Sequence, residues 1–137
     1  MSDDVEAIKQ LKARYFRLID TKDWDDLPAV FTHDVEINVS DEGGGVTRGA
    51  TDFVSFLRSV IGNAITVHHG HTPEIEVTSP TTATGIWALE DQLWWPEGGP
   101  VAHLHGFGHY HETYEKTDAG WQIKSLTITR LHRLIDR

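Results

Sequence analysis

The second half of the sequence consists of four long stretches: ITVHHGHTPEIEVT (65–78), TATGIWALEDQLWW (82–95), VAHLHGFGHYHETYE (101–115) and WQIKSLTITRLHR (121–133). Short segments rich in turn-forming residues separate these stretches, namely Ser79-Pro80, Pro96-Glu97-Gly98-Gly99-Pro100 and Asp118-Ala119-Gly120. Long strands joined by hairpin-sized connections predict an antiparallel, strongly twisted sheet.

The first half of the sequence is mainly helical in pattern. A first helix is predicted from Ser2-Asp3-Asp4 to about Asp20, because apolar residues recur there at helical spacing. A second, short helix is predicted from Asp23 to Pro28, with an acidic first turn that suits the helix dipole. A strand with alternating apolar residues follows at Phe31–Val39, and a third helix at Ala50–Ile61. Helices followed by a meander of strands indicate an α+β fold, with the helices on one face of the sheet.

A curled sheet with helices on its concave face encloses a cavity, which is a common position for a small-molecule site. The opposite face would need a cover, and we therefore expect a homo-oligomer, either a homodimer or a homotrimer. We interpret residues 1–137 as a single domain, which is an ordinary length for one hydrophobic core.

Composition excludes several classes of function. The chain has no cysteine, so a disulfide framework, a cysteine nucleophile and a cysteine metal site are ruled out. A net charge of -9 argues against binding to nucleic acid or to an anionic membrane. No apolar run approaches the roughly 20 residues of a membrane span, and Met1-Ser2-Asp3-Asp4 is unlike a signal peptide. We expect a cytoplasmic protein.

The stretch from His103 to His111 is the most informative segment for function. Side chains alternate along a strand, so His103, His105, Phe107, His109 and His111 share one face. Gly106 and Gly108 lie on the other face, where they allow a bend or a close approach of the backbone. We expect His105 or His109 to reach the cavity. The alternative is a largely solvated row with one hydrogen-bonded core histidine.

Two histidine clusters also raise the possibility of a metal site. In His68-His69-Gly70-His71, the adjacent His68 and His69 point to opposite faces, and His71 shares the face of His69. Imidazoles two residues apart on a strand can chelate zinc, although this spacing alone is a weak signal without a third ligand. A metalloenzyme that uses His103, His105 and His109 is therefore kept as a third hypothesis.

Three further polar residues fall near the predicted cavity. Asp91 shares its strand face with Trp87 and Leu89, where a carboxylate needs a partner, and a histidine is the partner we expect. The alternative is that Asp91 lies at the solvated rim. Tyr15 and Asp20 are about 140° apart on an ideal helix, so Asp20 reaches the same cavity only if the helix ends near Ile19.

These residues together resemble the SnoaL-like group of the nuclear-transport-factor-2-like superfamily, and within it scytalone dehydratase and the bile acid 7α-dehydratases. The resemblance is carried by Tyr15…Asp20, Asp23-Trp24-Asp25-Asp26-Leu27, Phe31-Thr32-His33-Asp34-Val35, Thr66-Val67-His68, Gly108-His109-Tyr110-His111-Glu112-Thr113-Tyr114 and Gly120-Trp121-Gln122-Ile123. It implies a cone-shaped α+β barrel, in which a curved antiparallel sheet covered by three N-terminal helices encloses a pocket, and it implies no metal or organic cofactor.

The resemblance also implies residue roles. His68 would be the general base, Asp91 would hold its tautomer, and Tyr15 with Asp20 as partner would assist at the carbonyl or the leaving hydroxyl. The substrate would be a hydrophobic, ring-containing carbonyl compound of steroid or polyketide type, and the reaction a dehydration or an isomerisation. We expect the pocket to contain Trp24, Phe53, Trp87, His105, Phe107 and His109.

The sequence departs from the family pattern in its last strand. Leu126 stands where many relatives carry a basic residue, and either Arg130 or Arg133 could take its place. A second hypothesis, also compatible with the superfamily, is a non-catalytic ligand-binding or assembly module.

Overall fold

A computed structural model describes residues 2–137, which form two α-helices and six strands. The α-helices are α1 (Ser2–Asp20) and α2 (Ala50–Ile61). The strands are β1 (Phe31–Asn38), β2 (Val46–Arg48), β3 (Ile65–Ser79), β4 (Thr82–Trp94), β5 (His103–Thr117) and β6 (Gly120–Asp136). Two short 3₁₀ turns, Leu27–Val30 and Ser40–Glu42, lie on either side of β1. Neither α1 nor α2 has the length and apolar content of a membrane-crossing helix.

The six strands form one sheet in the order β2-β1-β6-β5-β4-β3. The predicted antiparallel meander is confirmed for β3 to β6. The prediction of a wholly antiparallel sheet was wrong, because β1 pairs with β6 in parallel. β2, which the sequence pattern did not predict as a strand, pairs with β1 in antiparallel fashion. Two strands 80 or more residues apart in the chain meet here, and alternation within each strand carries no information about such pairing.

The prediction of three helices was also wrong, since the segment after α1 is not an α-helix. The amide of Asp23 donates to the carbonyl of Leu18 and that of Lys22 to Ile19, which closes α1 in a Schellman motif with Lys22 at a φ of 61°. Asp23 therefore belongs to the end of α1 rather than to the start of a new helix. Only a 3₁₀ turn follows, and it begins at Leu27-Pro28.

α1 lies across the sheet with one apolar stripe buried. Ile8, Leu11, Leu18 and Ile19 are each at least 95% buried, and full burial of such a side chain stabilises a fold by about 1.5–3 kcal/mol. The same stripe contains Lys12, whose ammonium binds the Glu112 carboxylate of β5 at 2.5 Å.

The Lys12–Glu112 ion pair is fully buried, and its remaining contacts are also within the core. The Lys12 ammonium lies 3.8 Å from the ring centre of Tyr15 and 3.5 Å from that of Tyr110. The hydroxyl of Tyr114 donates to Glu112 at 2.6 Å. Burial lowers the pKa of Lys12 to about 8, and Glu112 opposes a larger fall. This pair ties α1 to β5 and so helps to set the position of Asp20 at the end of α1.

Candidate active site

A cavity of about 490 Å³ lies between the concave face of the sheet and the two helices. Its wall is mostly apolar, with Phe53, Phe56 and Leu57 contributed by α2. A small set of polar side chains also lines it, namely Tyr15, Glu42, His68, Asp91, Tyr110, Arg130 and Arg133. An apolar chamber with a few convergent polar groups is the usual form of a small-molecule site.

His68 lines this cavity and is held by Asp20, which stands behind it. The Nδ1 atom of His68 lies 2.7 Å from Oδ1 of Asp20, and the backbone amide of His68 donates to Oδ2 at 2.9 Å. The His68 side chain is 11% exposed. Because Asp20 is an acceptor when ionised, this contact places the imidazole proton on Nδ1 and leaves Nε2 as an acceptor toward the cavity.

Asp20 is positioned by the end of α1. It is the last residue of the helix, and its carboxylate contacts Thr66 and His68 of β3. The Thr66 hydroxyl donates to Oδ1 of Asp20 at 2.9 Å and accepts from the Lys22 ammonium at 2.8 Å. Burial raises the pKa of Asp20, but its hydrogen bonds and the His68 charge outweigh burial and hold the pKa below its usual value. Asp20 therefore stays ionised as the partner of His68.

Two aromatic residues of α1 complete this corner of the cavity. The ring of Phe16 stacks on His68, with a 15° angle between the planes and 6.4 Å between the ring centres. Tyr15 is buried and lines the cavity, with its ring 5.9 Å from that of Tyr110 in an edge-to-face arrangement. Burial, together with the charge of Glu112, raises the pKa of Tyr15. The Tyr15 phenol is therefore neutral and can donate a hydrogen bond.

A second polar group, formed by Arg130, Asp91 and Glu42, also lines the cavity. The guanidinium of Arg130 donates from Nη1 and Nη2 to the two oxygens of Asp91, at 2.9 Å each, and from Nε to Glu42 at 2.6 Å. Arg130 is 9% exposed and Asp91 5%. Burial lowers the pKa of Arg130, but Asp91 and Glu42 outweigh it and raise the pKa above the usual value. Nη2 of Arg130 also contacts Glu42, so four of the five guanidinium N–H groups face a carboxylate and one donor, on Nη1, can serve a ligand.

A β-bulge explains why both C-terminal arginines reach the cavity. Gly108 pairs with Arg130, and the next pair is Phe107 with His132, so Leu131 is the extra residue. An extra residue reverses the alternation of the strand, which places Arg133 on the same side as Arg130. Simple alternation cannot put positions 130 and 133 on one face.

Position 106 must be a glycine, because the Arg130–Asp91 ion pair leaves no room for a side chain there. A Cβ at position 106 would lie 2.4 Å from Nη1 of Arg130 and 2.6 Å from Oδ1 of Asp91. The prediction that glycines in this strand allow a close approach is confirmed at Gly106, where the group that approaches is the Arg130–Asp91 pair.

The prediction that His68 pairs with Asp91 was wrong, because each residue binds a different partner. The two residues are directly opposite each other in the register of β3 and β4, and both line the cavity. However, Asp91 binds Arg130, and His68 binds Asp20. Arginine offers two parallel donors to a carboxylate, whereas an imidazole offers one. The alternative that Asp91 lies at a solvated rim is likewise contradicted by its burial.

Several predicted pocket residues lie elsewhere. His105, Phe107 and His109 share one strand face as predicted, but it is the outer face, while Leu104, Gly106 and Tyr110 face inward. Trp87 is buried outside the cavity, where its indole donates to Tyr114 at 2.9 Å. Trp24 packs on the edge of the core and does not line the cavity. Phe53 does line it, as predicted.

The hypothesis of a metal centre at His103, His105 and His109 is not supported by the geometry. Instead, His105 contacts Glu90 and His103 contacts Gln92. Within residues 2–137, the one group of three or more side chains that could hold a metal ion is His69, His71 and Glu90. This group lies outside the cavity.

The fold and the cavity together define a class. The mixed sheet is curved, has helices on its concave side and encloses a mostly apolar chamber with a His–Asp pair at the wall. This is the architecture of an α+β protein with a pocket for a small molecule. The model of the SnoaL-like domain matches residues 1–127, and the chain therefore belongs to this family, within the nuclear-transport-factor-2-like superfamily.

Known proteins of similar sequence or fold include enzymes. The chain is 28% identical over 134 residues to "Probable cyclase FGR4" of Gibberella zeae, covering 91% of this chain and 89% of the relative. It matches the crystal structure of a Novosphingobium aromaticivorans protein provisionally named a scytalone dehydratase, with a TM-score of 0.86, 20% identity and coverage of 100% and 93%. It also matches hexachlorocyclohexane dehydrochlorinase LinA type 2, with a TM-score of 0.84, 20% identity and coverage of 96% and 88%. The two structural matches concern the fold alone.

Sequence reasoning missed three features of the site. Glu42 lies in a Gly-rich turn region and gave no signal of burial. Thr66 gave no signal of its own beyond its place in the family motif, although it is buried against Asp20. The partner of Asp91 could have been found by treating Arg130 and Asp91 as two charges on otherwise apolar strand faces, since buried charges require opposite partners.

Proposed function

We propose that this protein is a cofactor-independent acid–base lyase, which removes water from a hydrophobic, ring-containing carbonyl compound. The observation that carries the proposal is the 2.7 Å contact between His68 Nδ1 and Asp20 Oδ1 at the wall of an apolar cavity. A half-buried carboxylate such as Asp20, which fixes one ring nitrogen, makes the other ring nitrogen a general base.

His68 would take the proton from the carbon next to the carbonyl group. Its Nε2 atom accepts the proton, and Asp20 stabilises the imidazolium that forms. The stack with Phe16 and the backbone hydrogen bond to Asp20 hold the ring in one orientation. Such a fixed base typically contributes a factor of about 10²–10⁴ to the rate.

Arg130 and Tyr15 would serve the oxygen atoms of the substrate. Removal of the α-proton develops negative charge on the carbonyl oxygen, and donors fixed in advance stabilise that charge. Arg130 is fixed by Asp91 and Glu42, and Tyr15 is a neutral donor because of its burial. The departing hydroxyl then leaves as water, with a proton returned from the His68 imidazolium or from a bound donor.

The lining of the cavity supports a hydrophobic ring as the rest of the substrate. Side chains of α2 and of the last two strands present aromatic and aliphatic surface, including Phe53, Phe56 and Leu126. A chamber of about 490 Å³ lies in the usual range for small-molecule sites. Dehydratase and dehydrochlorinase, two of the activities in the names of similar proteins, are both eliminations, which supports this reaction class.

The test uses cyclic β-hydroxy ketones of one and two rings. Two readouts are followed: the absorbance of the conjugated enone product, and incorporation of deuterium from D₂O next to the carbonyl group. We expect His68→Gln to lower both rates by about 10²–10⁴-fold, and the control His111→Gln, on the outer face, to stay within about twofold of wild type.

Two results would contradict the proposal. If His68→Gln processed every accepted compound as fast as wild type, His68 would not be the base. If wild type bound these compounds without deuterium exchange or enone formation, the protein would be a binding module. Deuterium exchange without enone formation would instead indicate an isomerase with the same base.

A further inference from the structure

The outer face of the sheet carries a cluster of potential metal ligands that is separate from the cavity. His69 and His71 project outward from β3, and Glu90 projects outward from β4 directly opposite His69. One ligand atom from each of the three residues lies within 4.8 Å of the other two. None of the three lines the cavity.

Strand pairing supplies the third ligand that the spacing of histidines in the sequence lacks. His69 and His71 are two residues apart on a strand, with their ring centres 5.8 Å from each other. The Oε1 atom of Glu90 lies 3.7 Å from Nε2 of His71. Tetrahedral zinc with ligands at about 2.0–2.1 Å brings donor atoms to roughly 3.3 Å of one another. The ligand atoms lie within 4.8 Å of one another, and rotation of these side chains can close the remaining gap of up to about 1.5 Å.

His105 holds the carboxylate of this cluster. Its Nε2 atom lies 2.8 Å from Oε2 of Glu90, while the other carboxylate oxygen faces His71. The ring of His105 is in turn packed against Phe107, with 4.7 Å between the ring centres. A carboxylate ligand whose second oxygen accepts a hydrogen bond is the usual arrangement around a bound metal ion, because the hydrogen bond fixes the ligand's orientation.

The other histidines on this face have different partners. His103 stacks on Trp94, contacts Gln92 and lies 3.7 Å from the exposed carboxylate of Asp136, and His111 contacts the hydroxyl of Thr129. Within residues 2–137, only the group around Glu90 brings three potential ligand atoms together.

We propose that His69, His71 and Glu90 bind one divalent transition-metal ion of the zinc type on the outer face of the sheet, with water at the fourth position. Two imidazoles and one carboxylate form a ligand set that suits zinc, cobalt or nickel rather than calcium or magnesium, which prefer all-oxygen sites. The site is independent of the proposed reaction, since the ion lies on the side of the sheet opposite His68.

The test is a titration of tag-free, chelator-treated full-length protein with Co²⁺ and Zn²⁺. Cobalt binding is followed by visible absorption, and zinc binding by calorimetry. We expect one ion per chain for wild type, and affinity lowered at least about 100-fold in His71→Gln and in Glu90→Gln. His105→Gln, which removes only the residue that orients Glu90, should lower affinity by about 10–100-fold.

Two control variants make the outcome decisive. His111→Gln, on the same face but outside the cluster, and His68→Gln, on the cavity side, should bind metal as wild type does. Equal affinity of wild type and His71→Gln would overturn the proposal, as would stoichiometric binding that disappears in His68→Gln. The correct fold of each variant is checked by its far-UV circular dichroism spectrum.

Discussion

The two faces of the sheet carry the same kinds of side chain in different surroundings. His68 and His69 are neighbours in the chain, but His68 faces an apolar cavity, while His69 faces solvent. The contact of His68 with Asp20 and that of His105 with Glu90 have almost the same length, 2.7 Å and 2.8 Å. The length of a histidine–carboxylate contact therefore does not mark a catalytic pair. What distinguishes the inner pair is a cavity large enough for a substrate beside it.

The buried charges of the inner face each have a charged partner, whereas the charges of the outer face are largely exposed to solvent. Arg130 pairs with the buried Asp91 and with the partly exposed Glu42, and Lys12 pairs with Glu112 inside the core. A charge without a partner is costly to bury, whereas an exposed charge is solvated at little cost. Equivalent substitutions on the two sides should therefore have very different effects.

The largest expected effect is on turnover. Asp20→Asn should lower kcat/KM by about 10²–10⁴-fold, because Asp20 accepts from both the ring and the backbone amide of His68 and an amide has only one oxygen. With that oxygen on the backbone amide, the NH₂ group faces Nδ1 and forces the proton to Nε2. Asp34→Asn, in an exposed ion pair with Lys124, should leave the rate within about twofold. Equal losses in both variants would contradict the assignment of Asp20.

The second largest expected effect is on the free energy of unfolding. Glu112→Gln leaves the Lys12 ammonium buried without its counter-ion, and it should lower the free energy of unfolding by about 3–5 kcal/mol. Glu36→Gln breaks the exposed pair with Arg48 and should cost at most about 1 kcal/mol. Urea denaturation at pH 7 measures both values. A difference below 1 kcal/mol between the two variants would show that the buried pair does not hold α1 in place.

A smaller effect is expected at Gly106. In Gly106→Ala the new methyl group would clash with the Arg130–Asp91 pair, and overpacking of this kind typically costs about 1–3 kcal/mol. The neighbouring outward substitution His105→Ala should change stability by about 0.5 kcal/mol or less. If the order of the two effects were reversed, Gly106 would not face the buried pair. Thermal and urea unfolding of both variants would decide the point.

The smallest effect is a change of stability with pH. The pKa of Asp20 is lower in the folded protein than in the unfolded chain, so the unfolded chain takes up the proton first as pH falls. The stabilisation by Asp20 is therefore complete above about pH 4 and is lost as pH falls through the folded-state pKa. Wild type should accordingly lose its stability advantage over Asp20→Asn as the pH falls below about 4. If the stability of wild type relative to Asp20→Asn increased on acidification, the pKa of Asp20 would not be lowered by folding.

Local patterns in the sequence predicted most elements of the fold. The four long strands, α1, α2 and β1 were located to within a few residues, because hydrophobic alternation and turn residues act locally. The parallel pairing of β1 with β6 and the replacement of the second helix by a 3₁₀ turn were missed. Both depend on contacts or backbone hydrogen bonds that residue periodicity does not encode.

For the candidate catalytic residues, the sequence predicted which side chains lie at the site but not how they pair, and of the predicted pocket residues only Phe53 lines the cavity. Tyr15, His68 and Asp91 line the cavity, and Asp20 turns back toward it at the end of α1. Alternation sorted the histidines and glycines of β5 correctly onto two faces but could not tell which face is concave. The bulge at Leu131 similarly hid the fact that Arg130 and Arg133 share a face.

The central claim is that Asp20 fixes His68 with the proton on Nδ1 and a free acceptor at Nε2. Nitrogen-15 NMR of the histidine rings measures this directly, with His68→Gln used to assign the signals. The account predicts that the neutral His68 ring has a protonated Nδ1 and an unprotonated Nε2, and that Asp20→Asn loses this preference. A His68 ring protonated on Nε2, or one that shows the same tautomer mixture in wild type and in Asp20→Asn, would contradict it.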